Sequence, residues 1–256
     1  MTLVARDDAL VELMDDPHCD PVRLDRTLRR FRLLNRLLAG WGTVYEAEVR
    51  PALVAGGGRG RLLDIGCGGG DVLRRLVARA RADGFTVEAV GIDPDERGLA
   101  VARATPVTGI RYRSALSADL VAEGERFDVV VSNHLLHHLT AEQLAGLARD
   151  SEALASRVAL HSDIVRGRTA YCAYAVAITP LAPGTFLRTD GLLSIRRSYT
   201  PGELRDALPG WTVFTPVPFR LVASWRAGAD GGAGAGPDAE AGAGAEARWG
   251  AGAGAE

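Results

Sequence analysis

Short apolar runs alternate along the chain with segments whose apolar residues recur at helical spacing. The runs that predict strands occupy residues 61–65, 86–92, 110–113, 127–133, 157–162, 211–214 and 218–225. Helical patterns lie between most of them, as in the segment from Asp71 to Arg81. This alternation is typical of a parallel sheet, whereas the last two runs, near Pro216 and Pro218, indicate an antiparallel hairpin. The pattern predicts an α/β fold: a mostly parallel seven-stranded sheet with helices on both faces and the last strand antiparallel.

An acidic residue and alternate glycines follow the first apolar run. Asp64 precedes Gly66, Gly68 and Gly70, and a predicted helix begins at Asp71. Glycine adopts unusual backbone angles and lets a ligand approach the main chain closely. The amides of the loop then lead into a helix N-terminus. Strand, loop and helix together predict a nucleotide-type cofactor site at the first turn of a doubly wound sheet.

The spacing of these glycines does not fit a dinucleotide. The dinucleotide fingerprint needs a glycine three residues after the second one, but Asp71 stands three residues after Gly68 and Leu73 three after Gly70. A carboxylate at the helix start would also repel the pyrophosphate that a helix N-terminus attracts. Asp64 and Asp71 instead suit a ligand with a positively charged end.

Three motifs in order resemble those of class I S-adenosylmethionine-dependent methyltransferases. The glycine loop resembles the first motif of that family. Asp93, in Gly91-Ile92-Asp93-Pro94-Asp95, closes the second run, and the segment from Phe127 to Leu139 resembles the fourth-strand motif. The resemblance spans residues 40 to 225 and implies a Rossmann-like fold with S-adenosyl-L-methionine as cofactor. More loosely, the chain resembles bacterial small-molecule methyltransferases of the polyketide and quinone type, which belong to secondary metabolism.

The resemblance also implies which residues hold the cofactor. Asp93 would accept hydrogen bonds from the ribose hydroxyls, and Asn133 would lie near the methionine end. Many relatives place an aspartate for the adenine amino group after the third strand, but Leu116 occupies that position here. The complete predicted cofactor set is Asp64, Gly66, Cys67, Gly68, Gly70, Asp93, Pro94, Leu116 and Asn133.

Candidate catalytic residues follow the fourth and fifth strands. His134 comes directly after Asn133 and is either a general base for a phenolic proton or a residue that packs beside the cofactor. Asp163 ends the fifth run and would contact the acceptor or orient another group. His137 and His138 are expected mainly in structural roles, and His161, inside the fifth strand, is expected in the core. No metal ligand set is predicted.

The predicted domain organisation has three parts. Residues 1–58 form a helical extension that either packs on the core or covers the cofactor as a lid. Residues 59–226 form the methyltransferase domain, in which residues 166–199 are an insertion that covers the acceptor pocket. Residues 227–256 are an Ala/Gly-rich repeat with too little apolar surface to fold, so we expect disorder there.

Composition narrows the class of protein. A formal net charge of −2 argues against nucleic acid as a partner. The three cysteines lack the spacing of a disulfide framework or a zinc site. No signal peptide or membrane span is apparent, so a cytoplasmic protein of unknown oligomeric state is expected. The predicted function is methyl transfer to a small phenolic or quinone-like metabolite, with O-methylation favoured over C-methylation. The alternative is a catalytically lapsed cofactor-binding scaffold or regulator.

Overall fold

The computed structural model describes residues 3–228. We expect disorder in the Ala/Gly-rich tail from its sequence. From residue 229 onward this tail lies outside the described part of the chain. No helix within residues 3–228 is both long and apolar enough to cross a lipid bilayer.

The described residues contain one seven-stranded sheet in the order β3-β2-β1-β4-β5-β7-β6. Its strands are β1 (Arg59–Ile65), β2 (Thr86–Ile92), β3 (Ile110–Arg113), β4 (Phe127–Asn133), β5 (Ala155–Ile164), β6 (Thr212–Phe214) and β7 (Arg220–Arg226). The first five strands pair in parallel, and β7 pairs antiparallel with both β5 and β6. The predicted α/β fold, with its mostly parallel sheet and antiparallel last strand, is confirmed.

Ten α-helices surround the sheet within the described range. They are α1 (Pro21–Leu38), α2 (Trp41–Val44), α3 (Arg50–Ala55), α4 (Asp71–Ala82), α5 (Glu96–Arg103), α6 (Ser117–Ala122), α7 (Ala141–Leu154), α8 (Arg168–Ala177), α9 (Leu187–Arg197) and α10 (Pro201–Ala207). One π-helical turn, Tyr45–Val49, joins α2 to α3, and short 3-10 helices occupy Leu13–Asp15, Leu136–His138 and Thr179–Leu181. Capping boxes begin α7 at Thr140 and α10 at Thr200.

Two buried apolar clusters lie on opposite faces of the sheet. One joins α2, α3 and α4 to the sheet and includes the fully buried Trp41 and Tyr45. The other joins α7 and α10 to the opposite face. Because the central parallel strands are covered on both sides, their polar residues gather where they end, which is where the site is built.

Several strand limits differ by one or two residues from the sequence prediction, and two of these differences affect the site. The fifth strand continues past Ser162 to Ile164, because Asp163 and Ile164 pair with β7, so Asp163 lies inside the strand. The last strand begins at Arg220 rather than Pro218, because Phe219 takes a positive φ of 65° that is incompatible with extended backbone. Both changes bring Arg220 opposite Ile164 at the edge of the sheet where β4 ends.

Candidate active site

The glycine loop turns sharply between β1 and α4. Gly66, Gly68 and Gly70 have φ values of 69°, 47° and 72°, in the left-handed region that glycine adopts at little cost. A Cβ on Gly66 would press on Leu135 at 3.2 Å, and one on Gly70 would collide with the Tyr112 ring, so protein packing explains these two. A Cβ on Gly68 would meet no protein atom within 4 Å. Gly68 is therefore the position where the loop leaves room for a ligand.

Asp64 supplies a buried carboxylate under this loop. Its side chain is 1% exposed, and its Oδ1 atom has no hydrogen-bond partner. Burial raises the pKa of Asp64 well above its usual range, and the negative charges of Asp71 and Asp93 raise it further. A buried carboxylate oxygen without a partner is costly unless a ligand satisfies it. The site therefore fits a ligand with a cationic or hydrogen-bond-donating end.

Asp93 connects the end of β2 to the glycine loop. One carboxylate oxygen accepts from the Gly68 amide at 2.8 Å, and the other accepts from the Asp95 amide at 2.8 Å. Each oxygen keeps a further lone pair, so ribose hydroxyls could still be accepted there. Burial raises the pKa of Asp93, an effect that these amide bonds oppose.

The other predicted cofactor residues have less specific surroundings. Cys67 is buried in the loop, and burial raises the pKa of its thiol, so it is not poised as a nucleophile. Pro94 is exposed next to Asp93. Leu116 is 57% exposed at the start of α6 and is not among the residues that line the cavity at the loop.

Two cavities meet at the carboxyl ends of the strands. The first, of about 150 Å³, lies against the glycine loop and is closed by the N-terminal segment through Glu12 and Met14 and by α1. The second, of about 220 Å³, lies between α1, β5, β7 and the α8–α9 insertion. Phe31, Asn35 and His134 line both cavities. We call them the loop cavity and the distal cavity.

Asn133 is held at the boundary of these cavities by side chains distant in sequence. Its Oδ1 accepts from the Trp41 indole at 2.9 Å and from Arg220 Nη2 at 2.8 Å. Its Nδ2 donates to Asn35 Oδ1 at 3.4 Å. The side-chain carbonyl oxygen of Asn133 therefore already accepts two hydrogen bonds from the protein, and these bonds hold the side chain in place.

His134 stands between the two cavities in a strained conformation. Its φ is 61°, which is uncommon for a residue with a Cβ, and its amide donates to Ser162 O at 2.8 Å. The imidazole Nδ1 lies 3.4 Å from Asp163 Oδ1. Burial and the neighbouring positive charge of His137 lower the pKa of His134 to about 4. The ring is therefore neutral near pH 7, as a proton acceptor must be.

Asp163 lies behind His134 and lines neither cavity. It is 1% exposed and accepts from the His137 amide at 2.9 Å and from His137 Nδ1 at 2.9 Å. Burial alone would raise the pKa of Asp163, but the imidazoles of His137 and His134 hold it well below its usual range. Of the two predicted roles, this position favours orienting another group over contacting the acceptor.

His137 joins the N-terminal segment to the end of β5. Its Nε2 lies 3.3 Å from Glu12 Oε1, and Glu12 also accepts from Ser194 Oγ at 2.8 Å. Burial opposes charge on this imidazole, yet Asp163 and Glu12 raise the pKa of His137 to about 9. Burial likewise opposes charge on Glu12, but His137 lowers the pKa of Glu12 to about 2. The structural role expected for His137 is thus a buried ionic link.

The sequence did not reveal Glu12 or Arg220 as part of this region. Glu12 stands in a segment without periodicity, and its partners are His137 in the 3-10 helix after β4 and Ser194 on α9. Arg220 carried one available signal, a cation at the start of an otherwise apolar run. His161 matches its expected core role, since its ring nitrogens lie 2.7 Å from Ser132 Oγ and 3.1 Å from Ser151 Oγ.

Comparison with known proteins identifies the central part of the chain. Residues 62–156 match a family model described as a methyltransferase domain. The ubiquinone biosynthesis O-methyltransferase of Cereibacter sphaeroides is 43% identical over 97 residues, which cover 37% of this chain and 36% of that protein. The same-named protein of Roseobacter denitrificans is 42% identical over 84 residues, 32% of each chain. The chain thus spans about a third of the length of these curated relatives.

Solved structures share the fold over most of the chain. The plantazolicin methyltransferase BpumL in complex with SAH has a TM-score of 0.60 at 15% identity, covering 84% of this chain and 91% of that one. Magnesium protoporphyrin IX methyltransferase (ChlM) from Synechocystis PCC 6803 has a TM-score of 0.51 at 18% identity, covering 79% of this chain and 93% of that one. Residues 62–156 are therefore similar to a methyltransferase domain, and the fold built around them is shared with these solved methyltransferases.

Proposed function

We propose that this protein transfers a methyl group from S-adenosyl-L-methionine to a hydroxyl of a small, flat phenolic or quinone-like molecule. The observation that carries the proposal is the pair of cavities that share His134, one at the glycine loop and the other lined largely by apolar side chains. Methyl transfer needs donor and acceptor aligned across such a boundary, away from water. The curated relatives named O-methyltransferases of ubiquinone biosynthesis support the oxygen acceptor and the quinone-like class.

The cofactor would occupy the loop cavity. Its positively charged methionine end would satisfy the orphaned Oδ1 of Asp64, its bulk would fill the open space at Gly68, and its ribose would contact Asp93. Gly66, Gly70, Cys67 and Asn133 would shape the loop and its rim, while Pro94 and Leu116 would lie toward the adenine. Here Asn133 acts through its surroundings, because its carbonyl already accepts from Trp41 and Arg220.

The acceptor would occupy the distal cavity. Ala170, Ala173, Tyr174, Ala177 and Gly191 of the insertion line it, which supports the predicted covering role of residues 166–199. The N-terminal residues that close the loop cavity support a lid role for the extension. A small, largely apolar cavity of this kind, together with a net charge of −2 for the whole chain, suits a metabolite rather than a nucleic acid. We place this activity in the cytoplasm.

Proton removal would fall to His134, with Asp163 as the orienting residue. A proton on Nδ1 faces Asp163 and leaves the Nε2 lone pair for the acceptor hydroxyl. The bound cofactor would supply an electrophilic methyl on sulfur, so that a C–O bond would form as the C–S bond breaks and a neutral thioether would leave. The phenolic proton passes to Nε2 of His134 and then to solvent.

Two measurements test the proposal. Calorimetry should detect binding of S-adenosylmethionine and none of NAD, since the glycine spacing rejects a pyrophosphate. Labelled cofactor should then transfer its methyl to members of a phenol panel. Binding without transfer to any phenol would favour the lapsed scaffold, and methyl found on ring carbon would favour C-methylation. Binding of NAD alone would overturn the proposal.

A further inference from the structure

The non-glycine residues with a strained, positive φ lie at the distal cavity. Within residues 3–228, His134 and Phe219 are the two non-glycine residues with positive φ, at 61° and 65°, and both line this cavity. An aromatic residue in that region is a conformational outlier, and such strain concentrates at functional sites. At Phe219 the carbonyl accepts from the Val165 amide at 2.9 Å, which holds the turn in place. This strained turn delivers the next residue, Arg220, to the cavity wall.

Arg220 is a buried cation that the protein does not neutralise locally. It is 8% exposed, its Nη2 donates to Asn133 Oδ1 at 2.8 Å and to Ser162 Oγ at 3.0 Å, and its Nε has no partner. Throughout the part of the chain that the structure describes, no carboxylate forms an ion pair with it. The buried Arg166, by contrast, pairs with Glu203. Burying an unpaired charge costs free energy that a functional partner must offset.

The charges around Arg220 do not supply this partner. Burial lowers the pKa of Arg220, and the one negative charge that opposes the shift is Asp163. Asp163 is already engaged by His137. The positive charges of His137 and Arg220 instead help to keep His134 neutral. An anion that enters the distal cavity would be attracted by Arg220 and would make protonation of His134 easier.

We propose that Arg220 binds the acceptor's oxyanion, so that the acceptor is an acidic phenol held as its phenolate between the guanidinium and the imidazole of His134. This inference rests on the proposed function and deepens it. His134, with its lowered pKa, is a weak base for an ordinary phenol. Arg220 compensates from the other side by stabilising the negative charge that proton transfer leaves on oxygen.

The test follows a phenol whose ionisation is visible. We would titrate 4-nitrophenol spectroscopically with the full chain and S-adenosylhomocysteine present, so that no turnover occurs. The pKa of the bound phenol should fall by about one pH unit or more, a tenfold shift toward phenolate. In R220M this shift should vanish, whereas R220K, which keeps a positive charge, should retain part of it. R205M, at an exposed arginine on α10, is the matched control and should behave as the native chain.

A second measurement keeps the inference falsifiable if R220M does not fold. The native chain should bind 4-nitrophenol at high pH at least about tenfold more tightly than 4-nitroaniline, which has similar shape but stays neutral. Equal affinity for the two, absence of binding by 4-nitrophenol, or an unchanged phenol pKa in folded R220M would overturn the inference. Phenolate stabilisation without methyl transfer to any phenol would instead contradict the proposed function and leave the role of Arg220 intact.

Discussion

The loop cavity and the distal cavity share His134, yet the chain builds them in different ways. One wall of the loop cavity is a single run of the chain, in which Asp64, the glycines and the start of α4 follow one another, and the N-terminal segment, α1 and the residues after β4 complete it. The distal cavity takes its wall from α1, β5, the insertion and β7, which meet only in the folded protein. The continuous glycine loop distinguishes the first cavity, whereas apolar side chains and Arg220, which is held by Asn133 and Ser162, distinguish the second. Substitutions on the two sides should therefore produce separable defects.

The largest effect should come from the shared residue. His134→Ala removes the proton acceptor of the distal cavity, so turnover should drop by about 100-fold or more, as loss of a general base usually does. The affinity for S-adenosylmethionine should change little. Single-turnover kinetics and calorimetry measure the two quantities, and His18→Ala, at an exposed histidine, is the control. An equal loss of cofactor affinity would contradict the separation of the two sides and favour a packing role for His134.

The buried link at His137 should appear as a pH dependence of stability. Its pKa is raised to about 9 in the folded protein, from the ordinary histidine value of 6.5. The stabilisation is therefore complete below pH 6.5 and is lost as the pH rises through 9, by roughly 2–3 kcal/mol. Urea unfolding at several pH values measures it. His137→Gln should flatten this alkaline decline and His18→Gln should not, so parallel curves for the two variants would refute the link.

A substitution of Asp93 should affect the loop cavity and leave the distal cavity largely unchanged. Asp93→Ala removes the acceptor of the Gly68 and Asp95 amides together with the predicted ribose contact. Cofactor affinity should weaken by about 1–3 kcal/mol, the cost of leaving polar groups without partners. Calorimetry with S-adenosylhomocysteine checks this result, with Asp206→Ala on the exposed face of α10 as control. Binding of 4-nitrophenol in the distal cavity should change less than cofactor binding; the reverse order would break the comparison.

The smallest effect should come from the insertion. Tyr174 lines the distal cavity, and its hydroxyl donates to Leu187 O at 2.7 Å, which ties α8 to α9. Tyr174→Phe should cost about 1 kcal/mol of unfolding free energy and raise the KM for a phenol several-fold. Cofactor affinity should stay unchanged, and Tyr171→Phe on the same helix should be close to neutral. A larger change in cofactor affinity than in KM would argue against the covering role.

The difference between the two cavities also explains which residues of the site could be predicted from the sequence. Asp64, Gly68 and Asp93 lie at or just after the ends of strands that local patterns predict, so their convergence follows from parallel topology. Arg220 enters the site through the antiparallel pairing of β7 with β5, in which it stands opposite Ile164. Glu12 reaches His137 from a segment with no strand or helix pattern. The spacing of residues along the chain does not predict that Arg220 enters the site or that Glu12 contacts His137.

The direction in which a side chain points could not be predicted from the sequence either. The sequence predicts His134 and Asp163 at the ends of neighbouring strands. Which of the two side chains faces the cavities depends on the backbone conformation at each residue. Asp163 lies inside β5 and its carboxylate is enclosed by His137, whereas the positive φ of His134 turns that residue to the cavities. A left-handed histidine is a tertiary effect that no local propensity predicts.

The antiparallel direction of β7 has a consequence for the order in which the protein becomes competent during synthesis. A parallel strand reaches the edge of the site with its last residue, but β7 starts there with Arg220. The glycine loop and its supporting helix leave the ribosome long before that arginine does, and domains fold as their segments emerge. A nascent chain could thus form the pocket for the methyl donor while the wall facing the methyl recipient is still missing. Competence for transfer would wait for one of the last strands to be translated.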